Sequence, residues 1–473
     1  MSKYCLGILV FLLSLSAHAG LKKIAQDFLG NNSQVKVAES QVSLAELDLE
    51  SLEMTKNTNL TFDSAYSDSQ TESFSAFAVL LRGGGFRQPI KNFNNQLALS
   101  KDFDWGGNVT VQHTYQRIKV PGTPMIYGYT QGITYTQNLG EDFFGRTFYL
   151  QQEELKLNVD FTKADSENTI QNALLSLVRS YYDAALNKSL VKLQNEAKDR
   201  ASRRLSLIKR RVRDGLREKV DKIQAEISLY QAQEAVKTAQ QNFTSAIEAL
   251  STAVHRVVPA NEIVGLNDKI FVRTATPKGD VKGNQNLQAF EELVKAREKN
   301  LERADKSLIP DISLSIGALN NKFDRSTSEA FQESLWGRPN RELTASLNVS
   351  WELGSGPEKI EKTRSLVNYQ TSKLQLDRLQ KDVYQTEKSI RDQISLLSEN
   401  LKSSSRRLSL ARSALKEYNK LYERGRADLD RLIQAEETLI NTEINHVNYL
   451  SQRERLVHTL AFLYGDLRGF LTE

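Results

Sequence analysis

The sequence predicts a mainly α-helical chain with a smaller β component, built from long antiparallel helical hairpins joined to amphipathic β-strands. Three observations predict it. The stretches between Gly145 and Gly215 and between Pro357 and Gly425 contain no Gly or Pro. Short segments elsewhere alternate apolar with small polar residues. The same order of elements then recurs further along the chain.

Each uninterrupted stretch is long enough for on the order of 100 Å of helix at the usual rise. Such a helix needs a partner along its length, because helix stability comes mainly from packing an apolar face. The packing seam is legible. Ile390, Ile394, Leu397, Leu401, Ser404, Leu408, Ala411, Leu415, Tyr418 and Tyr422 follow alternating steps of four and three. Leu186, Leu190, Leu193 and Ala197 do the same, rejoined by Leu205, Ile208 and Val212. This is heptad periodicity. After Gly215 and Gly425 a second helix returns, so each stretch folds into a hairpin.

The strand segments have period two. In Leu343-Thr344-Ala345-Ser346-Leu347-Asn348-Val349-Ser350-Trp351-Glu352, apolar residues alternate with polar ones. Residues 312–318 set Ile312, Leu314, Ile316 and Ala318 against Ser313, Ser315 and Gly317. Residues 60–67 and 129–136 alternate less cleanly. The pattern suits a barrel strand between lipid and a wet lumen, and equally a half-buried sheet in a soluble domain. A leader at residues 1–19 favours the membrane. Lys3, the apolar run Leu6–Leu15 and Ala17-His18-Ala19 before Gly20 fit an export signal with its cleavage site. Four strong strands are too few for a closed barrel. Open edges in lipid cost several kcal/mol per unpaired group, so a barrel has to close between chains.

The repetition is specific. Gly215 is followed at the same offset by Ile223-Gln224-Ala225-Glu226 as Gly425 is by Ile433-Gln434-Ala435-Glu436. Segment 60–66 corresponds to 312–318, and 132–139 to 346–353. The reading is a first structural repeat at 20–258, a linker at 259–284 carrying Pro259, Pro277, Gly279 and Gly283, and a second repeat at 285–473.

Composition excludes several classes. Lys and Arg number 63 against 58 Asp and Glu, too even for nucleic-acid binding. The single cysteine, Cys5, lies in the leader, which leaves no disulfide framework. No later apolar run is long enough for a membrane helix. Gly83-Gly84-Gly85 lacks the Gly-Lys-Ser/Thr of a phosphate loop. His113, His255, His446 and His458 are scattered rather than set at metal-ligand spacing. No Gly-x-Ser-x-Gly elbow occurs. The chain reads as neither an enzyme nor a cofactor or metal binder.

In the two-fold repeat, the junctions Gln137-Asn138-Leu139-Gly140 and Trp351-Glu352-Leu353-Gly354, the glycine turns and Tyr422-Glu423-Arg424-Gly425, the chain resembles the TolC-like outer membrane efflux protein (OEP) family. The resemblance spans about residues 21–470 and rests on order and spacing. It implies a homotrimer in the outer membrane, four transmembrane strands per chain making a twelve-stranded β-barrel, and an α-barrel tunnel in the periplasm. It implies a passive conduit for efflux or type I secretion, working with a periplasmic adaptor and through it an inner-membrane pump. Gly215, Leu216, Gly425 and Arg426 match the hairpin tips that meet the adaptor. Tyr422 and Asp221 match an entrance gate, in which a Tyr hydroxyl bonds a carboxylate; Tyr422 also continues the heptad seam and has packing as its alternative role.

The chain departs from the family in two places. Where known members carry an acidic pair after the second glycine turn, it has Arg431 and Gln434, with Asp428 and Asp430 out of register. Arg203, Arg204, Lys209, Arg210, Arg211, Arg213, Arg406, Arg407, Arg412, Arg424 and Arg426 flank the turns. The entrance is therefore expected to favour anions or lack strong cation selectivity; a solvated or adaptor-binding face is the other reading. The first half also carries extra length at 68–118 with a further strand pair near 97–104 and 108–118, either a cap or a widening of the sheet. A periplasmic coiled-coil adaptor or scaffold is the alternative for the whole chain.

Overall fold

The computed structural model describes residues 20–73, 86–120, 123–268, 271, 273–337, 341–351, 354 and 356–472. The expected leader, Gly83–Gly85 and the Glu352–Leu353 junction lie outside them. The chain divides into two compact units: one holds residues up to Val42, Thr162–Phe290 and Gln375–Glu473, and the other Ser43–Phe161 and Glu291–Leu374.

The elements in chain order are helix α1 (20–31), α2 (Ser33–Met54), strands β1 (Thr58–Ser73), β2 (Phe86–Asp102), β3 (Gly107–Lys119) and β4 (Ile126–Asn138), and helices α3 (Arg146–Arg213), α4 (Lys219–Val254) and α5 (Gln285–Lys306). Then come β5 (Asp311–Asp324), the short helix α6 (Thr327–Trp336), β6 (Arg341–Ser350), and α7 (Gly356–Glu423), α8 (Leu429–Leu463) and α9 (Leu467–Thr472). The two long helices are 68 residues each. They run where the absence of Gly and Pro places them.

In the helical unit, the heptad seam is the buried face. Ile390, Ile394, Leu401, Ser404, Leu415 and Tyr422 are buried on α7, and Leu193, Leu205 and Ile208 on α3. A cluster of Leu205, Ile208, Ala225, Leu415, Tyr422, Leu429 and Leu432 joins α3, α4, α7 and α8 near their turns. The segment 259–284 is docked by side chains to its backbone. Lys188 Nζ donates to the carbonyls of Ala260 (3.0 Å) and Ile263 (2.6 Å), and the Leu266 N–H donates to Ser189 Oγ at 2.7 Å. The Thr274 N–H donates at 3.0 Å to the fully buried Glu454 carboxylate. These contacts satisfy backbone groups that a buried connection would otherwise leave unpaired.

In the other unit the six strands form one antiparallel sheet in the order β1-β2-β3-β4-β5-β6. The count differs from the four strands expected. The extra pair is the hairpin anticipated near 97–104 and 108–118, which is longer than its alternation suggested and pairs between β1 and β4. Polar residues on its outward side, among them Asn95 and His113, blur the period-two signal. Helix α5 is tied to the first turns of α3, where Glu154 accepts from Asn300 Nδ2 at 2.9 Å and lies 3.3 Å from Arg303. Lys299 lies 3.0 Å from Glu153.

Both hairpin turns are made alike. Gly215 and Gly425 have φ of 75° and 72°. Leu216 N–H donates to Arg211 O and Arg426 N–H to Leu421 O, each at 2.8 Å, the six-to-one bond of a Schellman cap. A Cβ at either glycine meets nothing within 4 Å, so the only cost of a side chain is the left-handed backbone. Gly425→Ala is expected to destabilise by roughly 1–2 kcal/mol, and Gly215→Ala by the same amount. Gly30→Ala, in helical α1 with open space around it, should instead leave stability unchanged or raise it by up to about 1 kcal/mol. Thermal denaturation followed by circular dichroism checks all three.

Candidate functional site

The sheet has two chemically distinct faces. Directly paired residues lie on the same face, so the register sorts the side chains. Leu60, Leu99, Val111, Ile133, Ala318 and Leu343 form one continuous row across all six strands. Phe62 and Leu97 extend the same face, as do Tyr135 and Ile316, and Leu314 and Leu347. Most of these are exposed, Leu343 to 84%. The opposite face carries Asn59, Ser100, Thr110, Thr134, Gly317 and Thr344 in one row and Thr61, Ala98, Gln112, Gly132, Leu319 and Glu342 in the next. An exposed apolar surface of this extent marks contact with lipid or another protein. The small polar face suits water.

Several polar residues on the apolar face find partners in place, whereas Asn95 Oδ1 is buried without one. Gln131 Nε2 lies 2.6 Å from His113 Nδ1. Asn320 Nδ2 donates to the Ser334 carbonyl of α6 at 2.6 Å. Phe331 of α6 stands edge-on to Tyr129 and His113 at centroid distances of 5.3 and 6.1 Å, and Lys322 pairs with Glu333. Helix α6 thus covers this polar spot and leaves the apolar row free.

The second cluster lies at the glycine turns. Tyr422, near the end of α7, is 1% exposed. Its ring is flanked by two guanidinium groups from the first hairpin, Arg217 at 5.0 Å and Arg211 at 5.3 Å from the centroid. Cations over an aromatic face are favourable, more so when desolvated. Arg211 also caps the helix end, donating to Tyr422 O (3.0 Å) and Glu423 O (2.9 Å), where a cation complements the helix dipole. Arg217 approaches Asp221 Oδ2 at 3.9 Å. Burial pushes the Tyr422 phenol up, and Arg217 and Arg211 pull it part of the way back. Nearby, buried Arg204 pairs with Glu436 and Ser228, joining α3 to α8 and α4. Arg431 and Gln434 line a cavity of about 320 Å³ with Ala411, Ala414, Tyr418 and Thr438.

Residues 143–254, which span α3 and α4, match the family described as outer membrane efflux protein. No curated protein sequence matches the chain. Among solved structures the chain is similar to the outer membrane protein VceC from Vibrio cholerae, with a TM-score of 0.69 and 14% identity over 95% of this chain and 99% of that one. It is similar to the open state of the Neisseria gonorrhoeae MtrE outer membrane channel, with a TM-score of 0.65 and 15% identity over 96% and 91%. For the Campylobacter jejuni CmeC outer membrane channel the TM-score is 0.62, at 12% identity over 94% and 86%. The family match covers α3 and α4 only, and the chain shares the fold of these outer membrane channels.

The apolar rows of the sheet are a surface suited to lipid. Gly215, Leu216, Gly425 and Arg426 lie at the two turns, and Tyr422 and Asp221 lie in one cluster. The hydrogen bond expected between those last two is not made: the Tyr422 hydroxyl has no partner. Arg217, one helical turn before Asp221, lies against both. Arg211 and Arg217 are the residues the sequence reading missed as partners of Tyr422. Arg211 carries a readable signal as a basic residue in a last helical turn, but its target is on the other hairpin.

Two predictions follow from these geometries. Because the Tyr422 hydroxyl is buried and unpartnered, Tyr422→Phe should leave stability unchanged or slightly raised, while Tyr422→Ala should cost about 3–5 kcal/mol, the usual loss for a large core aromatic; denaturant titration of the pair measures this. Leu347→Arg on the apolar face should cost about 2–4 kcal/mol near mid-bilayer. Its neighbour Asn348→Arg, on the polar face, should be tolerated. Yield of folded protein in outer-membrane extracts compares them.

Proposed function

We propose that this protein is the outer-membrane component of a tripartite efflux or type I secretion system: a passive homotrimeric conduit from periplasm to exterior, opened through adaptor contacts at the hairpin tips. The observation that carries the reading is the open sheet. Among the described strands, β1 pairs only with β2 and β6 only with β5. Edge backbone groups in lipid cost several kcal/mol each, and sister copies supply the missing partners. A second heptad seam on α4 supports association. Val220, Ile223, Ile227 and Tyr230, at steps of three and four, are all exposed, as is Leu216 in the turn before them. Ile360, Val367 and Leu374 of α7 are exposed at steps of seven. Heptad seams of this kind pack against other helices.

In this reading 20–258 and 285–473 are two copies of one structural plan joined by 259–284. Leu216 and Arg426 at the turns are presented to the periplasmic adaptor. Tyr422, Asp221, Arg431 and Gln434 surround the entrance, and opening displaces Arg211 and Arg217 from the Tyr422 ring. The pump coupled through the adaptor supplies the energy.

The test is fractionation with and without heating. The expected result is a heat-dissociable trimer in detergent extracts of the outer membrane. A soluble periplasmic monomer would overturn the reading and favour a coiled-coil adaptor or scaffold. The exposed Arg203, Arg210, Arg406, Arg407, Arg424 and Arg426 lead to one more expectation. In planar bilayers under a salt gradient, the reversal potential should be anion-favouring or near zero; strong cation selectivity would contradict it.

A further inference from the structure

We infer that the β2–β3 hairpin crosses the bilayer as a third transmembrane hairpin of each chain, so that a trimeric conduit would be an eighteen-stranded cylinder, six strands from each copy. The trimer count rests on the function proposed above; the crossing of β2–β3 stands on the sheet itself.

The register is the first argument. Leu99 of β2 pairs with Leu60 of β1, and Val111 of β3 pairs with Ile133 of β4. Leu99 and Val111 pair with each other. The apolar row therefore passes through the hairpin without interruption or change of face. On the opposite face Ala98 and Gln112 continue the row from Thr61 to Gly132. A cap outside the membrane has no reason to place its apolar side chains level with those of its neighbours. A one-residue slip would put them on the wet face.

Backbone pairing is the second argument. Every described strand partner of β1 belongs to β2, from Thr58↔Lys101 to Ser73↔Phe86. Strand β4 faces β5 on one side and β3 on the other. If β1 and β4 lie in lipid while β2–β3 does not, a full ladder edge of each is left unsatisfied inside the chain. The cost is several kcal/mol for every exposed group.

The third argument is the charged ends. Lys91 and Asp68, 3.3 Å apart, close one end of the β1–β2 ladder's apolar face. Arg117 lies over the Phe93 ring at 5.4 Å just inside them. Aromatic and charged residues at this position suit the bilayer interface.

Barrel diameter grows roughly in proportion to strand number, and barrels of about 16–18 strands leave an open aqueous channel. The exit is then about half again as wide as in a twelve-stranded barrel. It imposes little size selection, which falls to the entrance instead.

The single cysteine of the sequence, Cys5, makes a cysteine scan clean once it is replaced. Leu99→Cys and Val111→Cys test the apolar row, Ala98→Cys and Gln112→Cys the polar row, with Ile133→Cys and Thr134→Cys in β4 as references. Intact outer membranes are treated with a membrane-impermeant maleimide. The expected result is labelling at Ala98, Gln112 and Thr134 and protection at Leu99, Val111 and Ile133 until detergent is added. Labelling of both hairpin faces while β4 still alternates overturns the inference and leaves the conduit standing. Loss of alternation in β4 as well overturns both.

Discussion

A peptide group in hydrocarbon has no water to bond, and the rest of this structure follows from that constraint. A sheet in lipid must end in itself or in another sheet. Here the described sheet does not close: β1 and β6 are its two free margins. The apolar rows suit the sheet to a membrane, and in the proposed conduit other copies supply partners for its margins. The long helices meet the same kind of demand by another route. Each satisfies its own backbone internally and needs only a partner for its apolar face. α3 and α7 find theirs within the chain, whereas α4 keeps a second seam free.

The turns show how local rules serve this plan. Gly215 and Gly425 stop two 68-residue helices with the same pair of hydrogen bonds. The helices that return pack at once on the ones they left, and Tyr422 fills the space between them. Two arginines from one hairpin grip an aromatic ring and the carbonyl end of the other. Each contact is modest and the arginines are partly exposed to water, which suits the opening movement proposed for this cluster. The buried Arg204–Glu436 pair nearby is of another kind. Removing either partner would strand a charge, so that pair fixes the hairpins to each other.

The helices were legible because their signal is long. Residues 390–422 repeat one pattern over many turns, and every position of that seam is buried or half-buried. β5 and β6 were legible because Ile, Leu, Val and Ala alternate with Ser, Thr, Asn and Gly over 312–318 and 343–350. β2 and β3 were only half legible: their outward side includes Asn95 and His113, and it takes a residue of the next strand, Gln131, to pair with His113. The ten-residue α6 left no sign beyond a few apolar residues, and its role depends on Phe331 reaching strands distant in sequence. The environment of Tyr422 was not legible for the same reason. A family-like Tyr and Asp can be matched by position, but that Arg217 stands against both is decided by the packing of two hairpins separated by some 200 residues of chain.

The central claim is that sister chains complete the sheet. Electron cryomicroscopy of the purified protein in lipid nanodiscs tests it most directly. The account predicts a three-fold symmetric, closed β-cylinder in which β1 of each copy is hydrogen-bonded to β6 of the next. A cylinder or sandwich closed within one chain, with β1 and β6 paired to each other or covered by helices, would contradict it.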